Sequence, residues 1–138
     1  MIKALIDTNV VLDYAEKREG FFVVAEKVFL QMLQGSFAGF VSASAVTDIY
    51  YFLERRYKEP GVVISVLKTL LDALDVLSVD RQTIEAAIAS GMPDFEDAVQ
   101  TAAAKDFGID IVVSRDKEGF SNSGMQVYSP VGFLEALT

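Results

Sequence analysis

The chain has 138 residues, of which 51% are hydrophobic, with mean hydropathy +0.32, enough to build a core of its own. It has no cysteine and no histidine, which excludes disulfides, thiolate nucleophiles, sulfur-bound zinc, the Ser-His-Asp arrangement and the commonest general base. With 20 Asp plus Glu against 12 Lys plus Arg, a formal charge of −8 and a pI near 4.4, the overall field does not attract a polyanion, so any nucleic acid must be held locally.

In chain order, "KALI" at 3 to 6 reads as a short buried strand, and Asp7 arrives where it ends. The run "TNVVLDYAEK" that follows is amphipathic, so Asp7 or Thr8 reads either as a helix cap or as a carboxylate presented at a strand end. Further strands are expected at "FAGFVS" (37 to 42), "DVLSV" (75 to 79), "IDIVVS" (109 to 114) and "MQVYS" (125 to 129). Helical spacing links Val46, Ile49, Tyr50 and Leu53, then Val63 through Leu74, then Phe95, Ala98, Val99 and Ala102. The prolines at 60, 93 and 130 stand where helices can begin.

Short apolar strands alternating with amphipathic helices predict an α/β protein. The expectation is a three-layer α/β/α sandwich with a mostly parallel central sheet, formed by residues 1–138 as a single domain. "MIKALI" is too short for a signal peptide, and no apolar run approaches the roughly 20 residues of a membrane span, so a soluble, cytoplasmic protein is expected. "YYF" at 50 to 52 and "FFVV" at 21 to 24 carry more apolar side chains than one helix face can bury, which points to a second surface for a partner.

In such folds, sites form outside the carboxyl ends of the strands, where the following helices begin. Asp7 and Asp116 follow strands, while Asp48 and the trio Asp94, Glu96 and Asp97 fall in helix first turns. Dipole and capping roles would account for some of these acids. Convergence of Asp7, Asp48, Asp97 and Asp116 would raise their pKa values unless a cation sat between them, and oxygen ligands without imidazole or thiolate favour Mg²⁺ or Mn²⁺. Arg115 and Lys117 read as phosphate contacts or as a solvated surface pair. A phosphoacceptor receiver domain also has about this length. It would need an acceptor after a middle strand, where only Asp80 stands, and a late Lys that "VYSP" lacks.

The order "LIDTNVVLDY", "SASAVTDIYYFL", "DFEDAVQTAAA" and "IVVSRDKEGFSNSGMQVYSPVGFLEAL" resembles the PIN-domain family across nearly the whole chain. Within it, the pattern is similar to the short prokaryotic proteins that include VapC-type toxin nucleases. The resemblance implies an endoribonuclease in which Asp7, Asp48, Asp97 and Asp116 form an acidic quartet that binds Mg²⁺ or Mn²⁺ and activates water against an RNA phosphodiester. Asn9, Asp94 and Ser114 match supporting polar groups, and Asp7 and Asp97 are expected to be the principal metal ligands, with Asp48 and Asp116 completing or orienting the shell. It also implies a homodimer and inhibition by a small antitoxin. The sequence departs from the family pattern at Asp48, where Glu is common, and at "SRD" (114 to 116), which sits between two common variants. A PIN-like interaction module with an idle metal site is the alternative those departures raise.

Overall fold

The computed structural model describes residues 1–138. Five strands, β1 (Lys3–Ile6), β2 (Ala38–Ser42), β3 (Leu74–Leu77), β4 (Ile111–Val113) and β5 (Gln126–Tyr128), form one sheet in the order β3-β2-β1-β4-β5. Every pairing is parallel, with Leu5 opposite Phe40 on one side and Val112 on the other. The expected mostly parallel sheet is therefore parallel throughout.

Alternation along the central strand builds the two cores. Ala4 and Ile6 enter a 19-residue cluster roofed by α1 (Thr8–Ala15), α2 (Phe22–Leu33), α3 (Ala43–Tyr57), α4 (Pro60–Ala73) and α7 (Pro130–Ala136). Leu5, between them, enters a 9-residue cluster with Ala103 and Ala104 of α6 (Phe95–Asp106). That second face is completed by α5 (Arg81–Ala89), which packs on α6 through Ala87, Ala98 and Val99. A strand buried on both faces must be apolar at consecutive positions, which is why "ALI" shows no polar alternation. No helix is long and apolar enough to cross a membrane.

The differences from the expected boundaries have local causes. The helical spacing through Leu74 stops one residue earlier, because Leu74 adopts extended backbone and opens β3. Pro60 and Pro130 begin helices as expected, but Pro93 does not. Asp94 is the N-cap of α6, its Oδ1 accepting the Asp97 N–H at 3.0 Å, so the helix starts at Phe95. Asp94 is thus the cap, not a first-turn residue, and Asp97 lies in the first turn. Asp80 is committed in the same way, in a reciprocal capping box with Thr83 at the start of α5.

A carboxylate-lined candidate active site

The carboxyl ends of β1 and β4 lie side by side, and α1, α3 and α6 begin at that same edge. The Asp7 N–H donates to Val113 O at 3.0 Å, continuing the ladder one residue past the strands and setting Asp7 beside Ser114. Both readings of Asp7 are realised. It is the N-cap of α1, its Oδ1 accepting the Thr8 N–H at 2.8 Å, and its carboxylate also faces the side chains brought in by α6 and the loop after β4.

Two further hydrogen bonds organise that carboxylate, and a third ties it through Gln100 to Asp97. Ser114 Oγ donates to Asp7 Oδ2 at 2.7 Å, and Gln100 Nε2 donates to Asp7 Oδ1 at 3.3 Å and to Asp97 Oδ1 at 3.4 Å. Gln100 is one turn beyond Asp97 on α6, so the helix delivers the acid and the amide to the same place. Ser114 Oγ in turn accepts the Asp116 N–H at 2.9 Å and the Asn9 amide at 3.5 Å.

Asp116 is held by the Gly119 N–H, which donates to its Oδ1 at 3.0 Å. A Cβ at Gly119 would collide with both the Asp97 and the Asp116 carboxylates. The bare glycine wall therefore lets two acids from α6 and the β4 loop come within reach of the same methyl-sized space.

The electrostatics follow from burial. Asp97 is 8% exposed, and desolvation, followed by the charges of Asp7, Asp94, Asp116 and Glu96, pushes its pKa up to about 7. Burial also raises Asp7, against the lowering effect of its bonds from Ser114, Gln100 and Thr8. Glu96 is raised chiefly by the charge of Asp48.

Asp48 is thus a neighbour of Glu96 across the gap between α3 and α6, and it makes no hydrogen bond to Asp7, Asp97 or Asp116. Asp7 and Asp116 act electrostatically on Asp97, whereas the charge of Asp48 acts on Glu96. No three acidic side chains are drawn together tightly enough to form a ready-made ligand set.

Whether these residues suit a divalent ion is decided by their chemistry. Buried carboxylates with raised pKa values are short of positive charge, and the donor set is entirely oxygen. The buried Oδ1 of Asn9 and Oε1 of Gln100 have no hydrogen-bond partner. A hard cation that keeps several waters and takes one or two carboxylates fits such a set.

Arg115 is engaged elsewhere. Its guanidinium grips the buried Asp13, with Nε to Oδ2 at 2.7 Å and the second arm to Oδ1 at 3.1 Å, and it lies 3.9 Å from the ring centroid of Phe21. Lys117 is exposed and forms no ion pair. Sequence reasoning assigned no site role to Gln100, Glu96, Gly119 or Asp13. The spacing of Gln100 three residues after Asp97 is a signal for the first of these, while Asp13 and Gly119 acquire their roles only from long-range contacts.

With this geometry in place, the sequence model described as a PIN domain matches residues 3–118. The chain belongs to the PIN-domain family. This PIN domain is 25% identical over 124 residues to the Ribonuclease VapC1 of Aquifex aeolicus, covering 86% of this chain and 85% of that one. It is 29% identical over 131 residues to a VapC ribonuclease of the same organism, covering 91% and 96%. In three dimensions it is similar to a chain in the crystal structure of VapBC2 from Rickettsia felis bound to a promoter DNA fragment. That match has a TM-score of 0.70 at 10% identity and covers 93% of this chain and 98% of the other. At that identity the likeness is one of fold, a PIN-type parallel sheet flanked by helices.

Proposed function

We propose that this PIN domain is a Mg²⁺- or Mn²⁺-dependent endoribonuclease and the toxin of a toxin–antitoxin pair. The observation that carries the reading is the Asp7–Gln100–Asp97 bridge, two buried acids held by one amide at the strand ends, in a chain with no histidine or cysteine to offer another chemistry. Similarity to two VapC ribonucleases supports RNA as substrate, and the VapBC2 likeness supports an antitoxin partner.

In this account Asp7 and Asp97 hold the cation, with Asp116 and Asp48 completing or orienting the shell. A divalent ion there supplies charge neutralisation at the phosphodiester and acidifies water for attack. Ser114 and Gln100 fix the directions of the Asp7 oxygens, and Asn9 steadies Ser114. Asp94 keeps the first turn of α6, and so Asp97, in place. Lys117 is the free cation for a phosphate, whereas the guanidinium of Arg115 is already occupied by Asp13.

Exposed apolar side chains fit the expected partners. Phe21 and Val23 at the start of α2 are 43% and 63% exposed, and Tyr51 on α3 is 55% exposed. A second copy and an antitoxin are the occupants this reading assigns to those faces.

The test is incubation of single-stranded RNA with the protein and Mn²⁺, with chelator, and with the Asp97→Asn variant. Internal cleavage that needs Mn²⁺ and is lost in the variant supports the reading. The departures at Asp48 and "SRD" favour the idle interaction module, and intact RNA in every arm would support it.

A further inference from the structure

The two ends of α6 open onto different places. Asp97 at its start belongs to the carboxylate centre, whereas Asp106 and Phe107 at its end border a groove of about 740 Å³ over β2 and β3. Phe40, Leu77 and Ala103 line that groove, and Phe107 stands in it 55% exposed. None of Asp7, Asp48, Asp97 or Asp116 takes part in it. All-parallel sheets are ordinarily covered on both faces, but α5 packs on α6 through Ala87, Ala98 and Val99, and the β3 side stays open.

The sheet ends on this side in β3, which pairs with β2 alone. Backbone N–H and C=O groups on its outer side meet no further strand. Side chains alternate along a strand, yet Asp75, Val76, Leu77 and Ser78 line the groove in succession, so the backbone of β3 is part of its wall. Asp75 and Val76 point to opposite faces and both are exposed, Val76 by 47%. The middle of the edge is therefore open on both faces.

The rim has one sign of charge. Asp75, Asp80 and Asp106 stand on it, and none of them is in an ion pair. Lys3, the cation that lines the groove, lies over the ring of Phe107, 5.1 Å from its centroid. RNA brings the wrong sign to this rim, and so does a second copy of a chain whose formal charge is −8. Asp75 also bars a neutral or acidic strand from the edge, since its charge would be desolvated with nothing to match it.

We propose that β3 is a docking edge for an extended, basic segment of a partner protein. The segment adds as a sixth strand, its main chain pairing with β3 and its alternate side chains falling on the two faces of the sheet. Lysine or arginine on the groove side meets Asp75 as an opposite-charge cross-strand pair. Long basic side chains suit the groove because their stems pack on Phe107 while their charged ends reach the acids of the rim. Aliphatic residues on the other face lie beside the exposed Val76. Binding at this edge needs neither a cation nor cleavage, so it stands apart from the ribonuclease reading.

The probe is a synthetic peptide of alternating lysine and valine, about six residues long to match a strand, titrated into the full chain and followed by NMR. Amide resonances of β3 and the ring of Phe107 are expected to shift, and amide exchange in β3 to slow. The same peptide with glutamate in place of lysine is expected not to bind. A peptide N-methylated at every residue keeps the charge, loses the donors and is expected to fail as well. Asp75→Lys is expected to weaken binding about tenfold, the scale of exchanging an opposite-charge cross-strand pair for a like-charge one. Glu135→Lys makes the same change of charge on α7 and is expected to leave binding unaltered.

Equal binding of the glutamate peptide or of the N-methylated peptide overturns the proposal, because charge or main-chain pairing then plays no part. So does an equal loss in Asp75→Lys and Glu135→Lys, which makes the attraction one of overall field. Shifts confined to the surroundings of Asp7 and Asp97 would place the peptide at the carboxylate centre and overturn it too.

Discussion

Asp7 and Asp97 accept from the same donor, the Nε2 of Gln100, at 3.3 and 3.4 Å. One amide between two buried acids does not neutralise them, and Asp97 retains its proton up to a pH of about 7. The folded state therefore binds a proton more tightly than the unfolded chain, whose Asp titrates near the ordinary 3.8. The stability linked to this proton is complete below that value and is lost as pH rises through about 7. With chelator present, the melting temperature is expected to fall between pH 5 and pH 7.5, and Asp97→Asn is expected to flatten that slope. Calorimetry across the range checks both.

Arg115 and Asp13 fasten the loop after β4 to α1, and the two partners are unequally buried. The Asp13 side chain is 2% exposed and that of Arg115 is 31% exposed. Removing the arginine strands a buried carboxylate, with only Arg18 nearby at 3.6 Å, while removing the aspartate leaves a cation that water can reach. Arg115→Ala is expected to cost about 3 kcal/mol and Asp13→Asn distinctly less, as measured by urea unfolding. Arg115→Lys should restore only part of the loss, since an ammonium cannot reproduce the two-armed contact.

The sheet was legible because buried parallel strands leave apolar runs, and Asp7, Asp97 and Asp116 stand where strands end or helices begin, while Asp48 lies a turn further into α3 than the sequence suggested. What the sequence hid was which of those acids meet. Asp48 stands in the second turn of α3, and its charge acts on Glu96 across the cleft between α3 and α6. Arg115 sits between two residues of the site, but its guanidinium is claimed by Asp13, 102 residues away in the chain. Asp94 reads as a first-turn acid because Pro93 reads as a helix start, and the capping geometry moves the start to Phe95. Contacts of this kind depend on tertiary packing, to which local periodicity is blind.

Gly119 offers a variant aimed at geometry alone. Its added methyl group in Gly119→Ala displaces the Asp97 and Asp116 side chains without touching either hydrophobic cluster. The variant is expected to fold, with a circular dichroism spectrum like that of the wild type, and to need at least tenfold more Mn²⁺ for the same thermal shift. An unchanged Mn²⁺ response would mean that the wall of the site does not limit where these carboxylates sit.

The most direct test of the carboxylate centre is thermal unfolding of the wild type and of Asp7→Asn, each in chelator and then in millimolar Mn²⁺. Asparagine keeps the cap on α1 and removes one charge from the cluster, so the variant should be the more stable protein in chelator. Mn²⁺ should then raise the melting temperature of the wild type and leave that of the variant nearly unmoved. A wild type indifferent to Mn²⁺, together with a destabilised Asp7→Asn, would contradict the account and leave Asp7 as a helix cap alone.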